Sequence, residues 1–116
     1  MLQIRPDHVQ ALSKQQAAGF VSRMMLHLRE VFPAEIERLD DAKLRLFVEK
    51  VCAQAREWGI AREQHVERLI ELFAGFEELR QRPMPAWVME IAEYPDRPGE
   101  QILCRLEDRL LFGEPV

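Results

Sequence analysis

A chain of 116 residues, 47% hydrophobic and 31% charged, has the size and composition of one folded domain and not of a disordered or fibrous chain. About two-thirds of the unfolded surface can be buried at this length, so neither a disulfide nor a metal is needed for folding. The net charge of −4 and the pI near 5.4 argue against general nucleic-acid binding, which needs a basic surface to displace counterions.

The charge is uneven. Residues 1–33 hold four basic and two acidic groups, residues 34–78 seven and eleven, and residues 79–116 five and seven. A local basic patch on the first helix is therefore compatible with the acidic total. Cys52 and Cys104 fall within helical patterns and form no C-x-x-C, which reads as two thiols in a reducing compartment. No apolar run follows a basic start and none approaches membrane-spanning length, so a cytoplasmic protein without signal peptide or membrane contact is expected.

In chain order, Arg5-Pro6-Asp7 opens a short helix, with Pro6 suited to a first turn. Ser13 is placed to cap the main first helix, about 13–32, whose inward stripe is Ala17, Phe20, Val21, Met24, Leu28, Val31 and Phe32. Pro33 stops it, and residues 34–39 read as a single helical turn. Asp40 or Asp41 caps the second helix, about 41–57, which buries Leu44, Phe47, Val48, Val51, Ala55 and Trp58. Gly59 stands where a left-handed C-terminal cap is expected, with Ile60 as its hydrophobic contact. The third helix, about 62–78, turns Val66, Leu69, Ile70, Phe73 and Phe76 inward behind a poor cap, Ala61. A loop from Arg80 leads to Pro85, which starts a short fourth helix carrying Trp87, Val88 and Ile91. Tyr94-Pro95-Asp96-Arg97-Pro98-Gly99 breaks the chain again. The last helix, about 99–112, buries Ile102, Leu103, Leu106 and Leu110, and Gly113 and Pro115 end it. No window alternates with period two. The expected class is all-α, a single-domain bundle of four to five helices over residues 1–116.

Catalytic signatures are missing from this pattern. His8, His27 and His65 are not spaced for H-E-x-x-H or for the Glu-x-x-His of di-iron bundles. The serines are Ser13 and Ser22, threonine is absent, and no G-x-S-x-G, phosphate loop or dinucleotide fingerprint occurs. No enzyme, metal or cofactor is expected.

Two features suggest contact with a protein. Glu63, Glu67 and Glu71 fall on one row of the third helix, where like charges repel by a few tenths of a kcal/mol per pair. They are either a solvated face or an acidic stripe opposed to the basic first helix or to a basic partner. Met25 and Leu26, the cluster Met84, Trp87 and Tyr94, and Leu111 with Phe112 are apolar residues beside or beyond the inward stripes; aromatic and methionine side chains of this kind serve either core or interface.

The order of Ile4-Arg5-Pro6, Phe32-Pro33, Trp58-Gly59-Ile60, the apolar run Leu69 to Phe76, Met84-Pro85-Ala86-Trp87 and the leucine-rich Leu103 to Leu111 resembles that of small all-helical bacterial proteins encoded beside type VI secretion components: spikes, PAAR tips, effectors and their chaperones. It covers nearly the whole chain. In that group a tyrosine is expected at Trp58 and a capping Ser or Thr near Ala61. The resemblance implies a non-enzymatic adaptor or co-chaperone that binds a secretion effector or its loading chaperone, with Met84, Trp87 and Tyr94 as anchors and Glu63, Glu67 and Glu71 as rim. The alternative is an immunity protein that neutralises a cognate toxin, for which an acidic surface suits a basic nuclease site. Self-association through the same apolar patch fits either role; nucleic acid does not.

Overall fold

The computed structural model describes residues 14–93 and 97–113. The helix expected from Arg5-Pro6-Asp7, the Ser13 cap and Tyr94 lie outside them. The architecture is all-α: α1 (Lys14–Val31), α2 (Pro33–Ile36), α3 (Asp41–Glu57), α4 (Glu63–Gly75), a 3₁₀ turn (Glu77–Arg80), α5 (Ala86–Ala92) and α6 (Gly99–Phe112). Six α-helices stand among the described residues where four to five were expected, because the turn after Pro33 closes into a helix of its own. No strand occurs among the described residues.

Several boundaries have a local cause. Phe32, preceding a proline, leaves the helical region (φ −126°, ψ 53°), and Pro33 restarts the chain at the first position of α2. Asp40 caps α3, its Oδ1 accepting the Lys43 amide at 2.8 Å. At the other end of α3 the Ile60 amide reaches the Ala55 carbonyl at 2.8 Å and the Gly59 amide reaches Arg56 at 3.1 Å. That is the paired bonding of a Schellman cap. Gly59 supplies its left-handed residue at φ 75°, and Ile60 is buried as the accompanying contact.

Helix α4 begins and ends later and earlier than the pattern suggested. Its N-cap is Arg62, not Ala61, and Arg62 has no side-chain acceptor to cap the helix. It stops at Gly75, against which the Phe32 ring packs so closely that an added Cβ would lie 3.0 Å from the ring edge. The Arg80 guanidinium then donates to the carbonyls of Phe73 (2.6 Å) and Ala74 (2.8 Å), serving the orphan end of α4. Arg97 does the same at α5, donating to the Ile91 carbonyl at 3.1 Å. Arg29 joins α1 to the approach of α3 through the Leu39 carbonyl (3.1 Å) and the Asp41 carboxylate (2.9 Å).

The core is one cluster to which every helix contributes, with Leu28, Leu44, Leu69, Leu79, Ile91 and Leu106 wholly enclosed. α1 packs chiefly on α3, α3 on α4, and α6 on both α4 and α5. No buried polar or charged residue is found among the described residues. The inward stripes hold with one clear exception: Val31 is 49% exposed. Past Leu28 the inward place is taken four residues on by Phe32. The seam between α3 and α6 is closed by glycine on both sides. A Cβ on Gly99 would lie 2.3 Å from the Gly59 carbonyl oxygen, so the start of α6 rests directly on the Schellman turn.

Candidate functional site

Among the described residues, a groove of about 720 Å³ lies where the first half of α1, one face of α3 from Arg45 to Arg56 and the turn into α4 converge. Its α3 wall is Arg45, Glu49, Cys52 and Arg56, spaced i, i+4, i+7 and i+11. This row sits one residue beyond the core row Leu44, Val48, Val51 and Ala55. A shift of one residue turns the helix by about 100°, so α3 presents one face to the core and the adjoining face to the groove. From α1 come Ala17, Ala18, Phe20 and Val21, and from the far end Ile60 and Val66. The alanines keep the α1 wall low. Phe20, Val21 and Ile60 are core residues whose outer edges form the floor.

Three arginines stand on this surface: Arg45, Arg56 and Arg62, all exposed. None makes an ion pair or side-chain hydrogen bond among the described residues, in contrast to Arg23, Arg29 and Arg68, which are paired. The acidic groups of the lining are Glu49 and Glu63, and Glu63 is engaged by Arg23 at 3.4 Å. The groove is thus a basic locality on an acidic chain. The Cys52 thiol is half-buried in the α3 wall. Burial pushes its pKa up, with Arg56 opposing and Glu49 assisting.

The acidic row of α4 proves to face α1. Glu63 meets Arg23, and Glu71 meets His27, Nε2 to Oε2 at 2.5 Å. Glu67, half-buried between them, makes no ion pair among the described residues. Of the two uses open to this row, opposition to the basic first helix is the one realised by its outer members. The neighbouring Arg68 turns the other way and clamps the Glu107 carboxylate with two donors, Nε at 2.9 Å, tying α4 to α6.

Met84 and Trp87 are half-buried and packed against the core, and the Arg109 guanidinium lies 4.8 Å from the centre of the Trp87 ring. Much of the apolar area expected to anchor a partner is therefore already in use within the chain. Tyr94 lies outside the described residues. Leu26 (69%) and Phe112 (72%) are the most exposed large apolar side chains among the described residues, one on α1 and the other at the end of α6. No group of three potential metal ligands occurs among the described residues, and none of their helices is long and apolar enough to cross a membrane.

The spacing of Arg45, Glu49, Cys52 and Arg56 was the signal available in the sequence for the groove. It was hidden because a mixed charged and small-residue row beside a core stripe is also what any solvated helix face presents. Compared with known proteins, the chain matches no family model, no curated protein and no solved structure.

Proposed function

We propose that this protein is a non-enzymatic protein-binding module whose docking surface is the groove between α1 and α3. The observation that carries the reading is the groove itself: an apolar floor continuous with the core, low alanine walls, and a charged lip. A small-molecule site encloses most of its ligand. A surface trough between two helices suits one face of a helix laid along it, the binding mode in which an amphipathic segment inserts apolar residues at i, i+3, i+4 and i+7. The Met84–Trp87 segment is a weaker anchor, since its side chains already pack inward.

The role we assign is that of an adaptor or co-chaperone, and the first partner to test is a type VI secretion effector or the effector's loading chaperone. That assignment rests on the order of sequence elements described above. The second reading, a toxin-neutralising immunity protein, is favoured by the net charge of −4, which suits a basic toxin surface outside the groove.

The test is recovery of tagged full chain from its native cell, followed by mass spectrometry and size-exclusion of the complex. It is run beside Ala18→Trp and Ala61→Trp, which fill the groove from exposed positions and leave the core alone. Recovery of an effector with its chaperone or spike, lost in both variants, is the expected result. A silenced toxin in a one-to-one complex, kept by both variants, would support the immunity role and remove the groove from it. A homodimer that the variants dissociate would make the groove a self-association surface.

A further inference from the structure

We infer that the segment docking in this groove is an acidic amphipathic helix, its carboxylates meeting Arg45, Arg56 and Arg62. This rests on the proposal that the groove is a protein-docking surface and adds the chemistry of what it takes.

Charge is the first ground. The chain carries 16 basic and 20 acidic residues, and many of its arginines tie the surface together: Arg29, Arg80, Arg82 and Arg97 on backbone carbonyls, Arg23 and Arg68 on carboxylates. Arg45, Arg56 and Arg62 differ from these in having no ion pair or side-chain hydrogen bond among the described residues, as do Arg38 and Arg105 elsewhere, but only these three converge on one groove. Glu49 is the lining's one acidic group outside an ion pair. Arginine is weakly hydrated and forks onto carboxylates in bidentate geometry, so it fits a lip where paired charges become partly desolvated.

Geometry is the second ground. Arg45 and Arg56 are eleven residues apart on α3, which at 1.5 Å per residue is about 16 Å, or three helical turns. Arg62 stands at the end of the trough, at the N-cap of α4. A partner helix of three to four turns spans that distance, with apolar residues over Phe20, Val21, Ile60 and Val66 and carboxylates on its flank. Single-stranded nucleic acid would also find cations here, but it requires exposed aromatic faces for stacking. The only aromatic side chain in the lining, Phe20, is 5% exposed and has Arg23 5.8 Å from its ring centre.

The experiment is selection of a displayed library of 18-residue amphipathic helices, with flanking positions randomised over all charges, on the full chain. A parallel selection uses the triple variant Arg45→Glu, Arg56→Glu, Arg62→Glu, all exposed positions. Binders enriched in Asp and Glu for the native chain, and in Lys and Arg for the variant, are expected. The best acidic peptide should bind the variant at least tenfold more weakly and should slow alkylation of Cys52 but not of Cys104. Selected peptides of neutral or basic flank that still protect Cys52 would overturn the acidic chemistry while leaving the docking groove standing. Binders that leave Cys52 unprotected and survive Ala61→Trp would overturn both. Contacts in the free chain between the Ile60 and Val66 methyls and residues 1–13, seen by nuclear Overhauser effects, would also overturn the inference, since the chain's own N-terminal segment would then be the occupant. Binding of an oligonucleotide in preference to every peptide would do so as well.

Discussion

Single residues decide where this chain turns and where it closes. Gly59 occupies the left-handed region, where a Cβ costs roughly 1–2 kcal/mol; no neighbour lies within 4 Å of the Cβ position, so strain is the whole effect. Gly59→Ala should therefore lower stability by about 1 kcal/mol in urea unfolding, with an unchanged slope. Gly99 has ordinary φ and the opposite problem: its added carbon would meet backbone atoms of Gly59 and Ile60 that no rotamer can move. Gly99→Ala should cost more, about 2–3 kcal/mol, as overpacking does. Cys52 gives a pH signature. Because burial raises its pKa, the folded chain keeps the thiol proton when the unfolded chain has released it. By linkage, stability falls as pH rises through the unfolded thiol's value, and this loss should vanish in Cys52→Ala. Thermal scans from pH 7 to 10 would detect it; equal slopes in the two proteins would show that the thiol contributes nothing.

Helix boundaries show how far the sequence could be read. Asp40, Pro33, Gly59 and Gly113 act locally, on groups within a few residues, and their positions were legible for that reason. The end of α4 was not. Continuing apolar period through Phe76 suggested a longer helix, but Phe32, distant along the chain, packs against Gly75 where the helix stops, and Arg80 takes the carbonyls at its end. The acidic row of α4 is similar: its repulsion was visible, whereas the side it faces depends on the packing of α1. At this scale the outer polar contacts are a modest clamp. Removing Glu71 against His27 in a double-mutant cycle should give a coupling of about 0.2–1 kcal/mol, as exposed pairs do. Trp87→Ala should cost about 2 kcal/mol, less than a fully enclosed tryptophan, and Arg109→Ala should lower stability by a fraction of that through the lost ring contact. A Trp87→Ala chain with native stability would return that residue to the list of partner anchors.

At the level of the molecule, fold class followed from periodicity because five amphipathic stripes had only each other to cover them. The groove could not follow, since a trough exists only once three segments meet. One continuous core also has a measurable meaning. Unfolding followed by far-UV circular dichroism and by the fluorescence of Trp58, at the C-cap of α3, and Trp87, on α5, should give coincident midpoints; separated midpoints would divide the domain. The contact between Gly59 and Gly99 bears on this unity in a further way. Most tight contacts in proteins can be relaxed by trimming the opposing side chain, and this is how second-site suppressors arise. Here the opposing surface is peptide backbone, so there is nothing to trim. A library built on Gly99→Ala should yield no reverting substitution at positions 59 or 60, and recovery should come only from stabilising changes elsewhere in the core.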